Sequence, residues 1–333
     1  MVSDKAIKSS NALINDATAP SIAVFVGGTS GIGQYTIEAL VATGVSTRIY
    51  LVGRKSSEER MKSFIKELHA VNPKAEIIWV EGEVSLLAES KRICEFIKTK
   101  ESHIDLLFLT TGFAAFGGRQ ETAEGLEITQ TLEYYTRMLF VQHLLPLLNS
   151  AEAARVISVL GGGIEKTSSI DIDDLGLKQP GNFGPVKGQT QFSTMNTICL
   201  DKFAQQNPSV TFIHSWPGWV TTGNVDRTSG PLGPLLAFAI RFILKPIIAF
   251  FSISKETSAQ RYLFQSTSAY YGGNGTAWRG DFGTNTMGQQ ENGMFLVHFR
   301  GYTTPNLKVM KVLREKAMDK VWDHTQEVFK PYL

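Results

Sequence analysis

Short apolar runs of strand length alternate along this chain with longer segments of helical periodicity. The runs occupy 22–26, 47–52, 76–80, 106–110, 155–160 and 210–215, and amphipathic stretches lie between them near 31–44, 57–70, 86–99, 124–148 and 189–205. This rhythm predicts an α/β fold, a doubly wound parallel sheet with helices on both faces and right-handed crossovers. Uninterrupted apolar strands such as Leu106-Leu107-Phe108-Leu109 are what a sheet covered on both faces requires. A single domain is expected from 21 to 333, preceded by a polar arm at 1–20, flexible or partly docked.

Beyond residue 225 the pattern changes. An apolar segment at 232–253 precedes a helix near 255–268, a Gly/Asn-rich loop at 271–292, a short strand at 294–299 and a C-terminal helix at 306–329. We read 228–292 as a substrate lid and loop. Arg241, Lys245 and two prolines interrupt the apolar segment, which argues against a transmembrane span and for a greasy lid or contact with a membrane surface. Leu235, Leu236, Phe238, Phe242, Ile243, Ile247, Phe250 and Phe251 make that lid suited to a hydrophobic small molecule, or else to a sheet edge or homo-oligomer surface.

Composition narrows the function classes. The 333 residues are 43% hydrophobic and 19% charged with a net charge of +2, which fits a cytoplasmic enzyme and gives no basic surface for nucleic acid. Cys94 and Cys199 both fall in apolar periodic segments and read as buried thiols. The six histidines show no metal-ligand spacing, so no metal is expected.

The strongest chemical signal is VFVGGTSGIG at 24–33. Gly27, Gly31 and Gly33 follow the first strand, and a helix opens at the last of them. Glycines there permit a tight turn and close backbone approach, and the N–H groups of Thr29, Ser30, Gly31, Ile32 and Gly33 can receive a pyrophosphate. The second strand ends Leu51-Val52-Gly53-Arg54-Lys55, with an arginine where an acid would take the ribose 2′-OH of NAD. Arg54 can instead pair with a 2′-phosphate, so the expected cofactor is NADP(H).

With EGEVS after the third strand, TTGF after the fourth and HSWPGWVTTG after the sixth, the chain resembles the short-chain dehydrogenases/reductases over roughly residues 20–225, and so a Rossmann fold. The stretches EGLEITQTLEYYTRMLFVQHLLPLL, RVISVLGGG and VWDHTQEVF are similar to fungal reductases, many of them in secondary-metabolite pathways. The resemblance places Glu83 and Val84 beside adenine, Thr111 and Gly112 at the turn closing the fourth strand, and Pro217, Gly218, Val220 and Thr222 against nicotinamide.

The same resemblance implies a catalytic Tyr-xxx-Lys pair, a serine and an asparagine, and here the sequence departs from it. Gly161 falls at the serine position, Glu133 at the asparagine, and Phe183 with Lys187 at the pair. A one-residue shift puts Gly184 and Gly188 there instead. Lys187 remains a candidate for holding the nicotinamide ribose, while Tyr134 and Tyr135 are candidate proton donors. Ser158, Ser193 and His214 are weaker ones. The leading expectation is an NADPH-dependent reductase of a hydrophobic carbonyl, enone or imine. The alternatives are a redox-silent cyclase or isomerase on the same scaffold, or a non-catalytic cofactor-binding protein.

Overall fold

The structure, a computed structural model, describes residues 2–113, 118–220 and 252–333. Its strands are β1 (Ile22–Val26), β2 (Thr47–Gly53), β3 (Ala75–Glu81), β4 (Leu106–Leu109), β5 (Arg155–Val159), β6 (Thr211–Ser215) and β7 (Met294–Val297). They form one parallel sheet in the order β3-β2-β1-β4-β5-β6-β7, with Val24 opposite Tyr50 on one side and Leu107 on the other. The order reverses between β1 and β4. Ligands of open α/β sheets bind at such a point, outside the carboxyl ends of the strands.

Alternation along each strand feeds two cores. Val24 and Val26 point into one, with Tyr134, Tyr135, Phe192 and Ile198, while Ala23 and Phe25 point into the other, with Ile37, Met61, Tyr262 and Phe264. The first core is covered by α4 (Leu87–Lys98), α5 (128–149), α6 (Pro185–Gln206), α8 (Leu307–Lys316) and α9 (Met318–Phe329). The second is covered by α2 (Gly31–Val41), α3 (Glu58–Val71) and α7 (Lys255–Thr267). Helix α5 starts at Ile128–Gln130, passes through a π-turn at Thr131–Tyr135 and continues over Thr136–Asn149.

Two expectations change. Part of the arm at 1–20 is a helix, α1 (Asp4–Asn11), capped by the Ser3 hydroxyl and packed on α7. Ile7 is buried, Asp4 pairs with Arg261 at 2.9 Å, and the Asn11 amide donates to the Gln260 carbonyl at 2.9 Å. These partners lie about 250 residues away, beyond any local pattern. The C-terminal helix is two helices, broken at Ala317 so that Met310 and Leu313 of one and Val321 and Phe329 of the other all reach the same core. The lid residues 232–250 and Phe251 lie outside the described residues. Among the described residues no helix is long and apolar enough to cross a membrane.

Candidate functional site

The β1–α2 turn is shaped by contacts that admit no side chain. At Gly27, with φ +102°, a Cβ would lie 2.6 Å from Thr110 Oγ1 and 2.8 Å from the Thr111 nitrogen. At Gly33 it would lie 2.7 Å from the Gly27 carbonyl oxygen. Gly31 opens α2 at φ +60°, a left-handed conformation that favours glycine. The Thr110 hydroxyl donates to the Gly27 carbonyl at 2.9 Å, tying the loop to β4. The first-turn N–H groups of α2, at Gly31, Ile32 and Gly33, lack intrahelical partners by geometry and are the donors a pyrophosphate needs. The Ile32 side chain packs on the second core, so its contribution is through its backbone.

Arg54 is exposed at the end of β2, one strand from this loop. A second arginine, which the sequence reading missed, stands behind it: Arg60 of α3 donates to the Thr29 carbonyl at 2.7 Å. Its signal was an arginine in the second turn after Arg54. At the end of β3, Glu83 turns its carboxylate back onto the Ser85 hydroxyl at 2.8 Å, and Val84 is buried with its carbonyl accepting from the Thr136 hydroxyl.

The end of β4 meets α5 at the π-turn. Gly112 has φ +144°, and a Cβ there would lie 2.7 Å from Glu133 Cγ and 3.0 Å from Glu133 Oε1. Thr111 donates its hydroxyl to the Leu132 carbonyl at 2.7 Å. Its own carbonyl accepts from Arg137, a fully buried guanidinium that also donates to Ser158 Oγ and the Val159 carbonyl, both at 2.9 Å. Burial pulls Arg137 down to about 10, so it stays charged at neutral pH. Ser158 is itself buried, accepting from Arg137 and donating to Asn196 Oδ1 at 3.0 Å. Its hydroxyl therefore links β5 to α5 and α6, and its proton is committed to Asn196.

Beyond β5, three glycines cross beneath α6, held by a buried relay. The Gly161 N–H donates to His214 Nε2 at 3.2 Å, which leaves the proton on Nδ1 for the Thr197 hydroxyl at 2.7 Å. Thr197 in turn donates to the Glu165 carboxylate, which accepts the Gly163 N–H at 2.9 Å. Burial, with Arg137 adding to it, pulls His214 down to about 3, so its ring is neutral. His214 is a positioning group for this loop.

The hydroxyl missing at 161 has a neighbour. A Cβ at Gly161 would lie 2.5 Å from Ser193 Oγ and 2.9 Å from Ser193 Cβ, so Ser193 of α6 fills the space a serine at 161 would need. Gly161→Ser is therefore expected to destabilise by about 1–3 kcal/mol through overpacking. Adding Ser193→Gly should recover much of that loss, a coupling readable in a double-mutant cycle of urea midpoints. Independent, additive losses would contradict the contact.

The remaining candidates lie elsewhere. Tyr134 and Tyr135 are buried, with hydroxyls bonded to Thr325 at 2.5 Å and His324 Nε2 at 2.7 Å on α9. These bonds account for both phenols, and burial pushes both upward, so they act as braces for the C-terminal helix and not as donors. Lys187 pairs with Asp171 at 3.2 Å and with the Asn182 amide oxygen, beside an open hollow of about 610 Å³ lined by Ile170, Asp171, Thr190 and Gln191. Phe183 precedes α6 and packs partly buried against the first core. The face of α6 that meets the Gly161 loop and π-turn carries Ser193, Asn196 and Thr197 instead. After β6, Gly218 has φ +64° and its Cβ would touch Phe299 at 3.0 Å, while Trp216 crosses the Phe299 ring edge to face at 5.3 Å. Pro217 and Val220 belong to this turn; Val220 bridges to Ile253, and Thr222 lies outside the described residues.

Comparison with known proteins agrees with this layout. Residues 21–165 match the model of the short chain dehydrogenase family. The chain is 36% identical to oxidoreductase AN1596 of Emericella nidulans over 98% of both chains. It is 35% identical to the NmrA-like family domain-containing oxidoreductase notO of an Aspergillus species, covering 99% of this chain and 95% of that one. Among solved structures, the NADPH-bound carbonyl reductase from chicken fatty liver superposes with a TM-score of 0.53 at 18% identity, over 86% of this chain and 98% of that one.

Proposed function

Since the chain belongs to the short-chain dehydrogenase/reductase family, we propose that it is an NADPH-dependent reductase of a hydrophobic carbonyl, enone or imine in a secondary-metabolite pathway. The observation that carries this reading is the phosphate loop. Side chains are excluded at Gly27 and Gly33, the loop opens a helix, and an arginine stands at the end of β2 where NAD selection calls for an acid. The cradle fits a dinucleotide, because its close contacts leave backbone N–H groups facing the sheet's switch point.

Each element then has a task. The α2 N–H groups hold the pyrophosphate, Arg54 takes the 2′-phosphate, and Arg60 steadies the loop through Thr29. Glu83 and Val84 flank the adenine side. Thr111 and Gly112 border the ribose, with Pro217, Gly218 and Val220 at the nicotinamide side. Ser193, buried in the space a serine at 161 would need, brings a hydroxyl beside the place from which the family's serine polarises a carbonyl. When bound, the nicotinamide supplies the hydride.

Calorimetry with NADPH and NADH tests the reading. Arg54→Ala should weaken NADPH about 10- to 100-fold, the loss of roughly 1.5–3 kcal/mol typical of a hydrogen bond to a charged group, while NADH changes little. Equal losses for both would refute the assignment of Arg54. A redox-silent isomerase or cyclase is the second reading, favoured by the engagement of Tyr134, Tyr135 and Lys187 elsewhere. It predicts product formed from pathway extract without consumption of NADPH.

A further inference from the structure

We propose that Glu133 is the proton-exchanging group of this site, a carboxylic acid presented by the π-turn of α5 where the family's phenol is missing. The inference rests on the reductase reading. Glu133 is 3% exposed, its Cγ and Oε1 lie against the Gly112 turn, and Gly112 follows β4 at the sheet's switch point. A side chain at 112 would displace that carboxyl, so glycine is what lets it lie against the turn.

The backbone around Glu133 is fixed on several sides. Asn196 of α6 donates to the Glu133 carbonyl at 2.7 Å, Thr111 donates to the Leu132 carbonyl at 2.7 Å, and Arg137 donates to Leu132 at 3.3 Å. Against this anchoring, the buried Oε2 has no hydrogen-bond partner among the described residues. A polar atom buried unpaired is costly, and one held by so much scaffolding is expected where it has a task. The π-turn adds to the case, since single π-turns inside α-helices occur frequently at functional sites.

The charges that act on Glu133 are Arg137, one turn along α5, and Glu127, just before the helix. From α6 and β4 the near groups are the neutral Asn196 amide and the Gly112 backbone. Burial outweighs the attraction of Arg137 and pushes the carboxyl up to about 8. It is thus an acid at neutral pH, poised near the pH at which it must give and retake a proton. In carbonyl reduction the carbon gains a hydride with its electron pair, the C=O π pair moves to oxygen, and that oxygen takes the Glu133 proton. A bound nicotinamide would supply that hydride and be the group oxidised by two electrons, and the Glu133 carboxylate regains the one net proton the reaction consumes from solvent.

A positive nicotinamide beside this carboxyl must favour its ionised form, whereas a neutral dihydronicotinamide must not. Calorimetric titration with NADP+ and with NADPH, each at pH 7 in two buffers of different ionisation enthalpy, reads the proton count directly. The 2′-phosphate is common to both nucleotides and cancels. NADP+ should release about half to one proton more than NADPH, and Glu133→Gln should bind both nucleotides without that difference. Should the variant not fold, infrared spectra of the wild type with ¹³C-labelled glutamate give the same information. A protonated-carboxyl band should weaken with NADP+ and persist with NADPH. Equal proton counts in wild type and Glu133→Gln, or a band indifferent to the nucleotide, overturn the proposal and leave the cofactor reading intact. Failure of both nucleotides to bind overturns the cofactor reading, and this one with it.

Discussion

Glu133→Gln makes the protein more resistant to urea at pH 8.5 than the wild type, by a margin that shrinks as the pH falls. The carboxyl titrates near 4.5 when unfolded and near 8 when folded. Between those values the folded state keeps a proton that the unfolded state has released, so stability falls as pH rises. The loss is about 1.4 kcal/mol per pH unit, and on the order of 4 kcal/mol is gone by pH 8. Glutamine keeps the shape and carries no charge. Its buried amide still lacks partners, a cost of about 1–3 kcal/mol, but that cost does not depend on pH. Glu165 is also pushed up by burial, and it contributes equally to both proteins. Urea midpoints at pH 5 and 8.5 give the comparison. A pH-independent gap would show that Glu133 carries no such shift.

His214 has the opposite sign. Its imidazole is held down at about 3 by burial, against 6.5 when exposed. Below pH 6.5 the unfolded chain binds a proton that the folded one refuses, so the stability of the relay is complete above 6.5 and drains as the pH falls toward 3. His214→Gln breaks the bonds to Gly161 and Thr197 and should be several kcal/mol less stable at pH 6.5, as expected for a disrupted buried network. By pH 4.5 the wild type should have given up about 3 kcal/mol of that advantage, two units at the same rate. Urea midpoints at the two pH values measure the narrowing, and a constant gap would place the histidine's titration elsewhere. For these two groups alone, the slopes cancel between pH 4.5 and 6.5.

The strands and the glycine loop were legible because their causes are local. A strand buried on both faces must be apolar throughout, as Ile22–Val26 and Leu106–Leu109 are. A turn crowded by Thr110 must be glycine. What was not legible depends on residues far away in sequence. Tyr134 and Tyr135 suited a pocket until His324 and Thr325, some 190 positions later, took their hydroxyls. The Phe183–Lys187 pair was found by counting back from Pro217, but each residue turns a helix by about 100°, and a small error in the count selects another face. Contacts to Gly161, Glu133 and His214 select Ser193, Asn196 and Thr197. Glu133 was in view as the residue at the asparagine position. That its carboxyl is buried, with Oε2 unpaired among the described residues, could not be read from spacing, because the packing against the Gly112 turn sets it.

The docking of α1 has a consequence for the order of events during synthesis. Its anchoring partners on α7 are translated about 250 residues later: Lys8 waits for Glu256, at a separation of 248 positions, and Asp4 for Arg261. At elongation speeds of roughly 5–20 residues per second, that wait lasts about 12–50 s. Throughout it, Ile7 has no α7 to cover it. A nascent chain stalled before residue 255 should therefore be cut by protease within the first dozen residues, and one released after α7 has left the ribosome should resist.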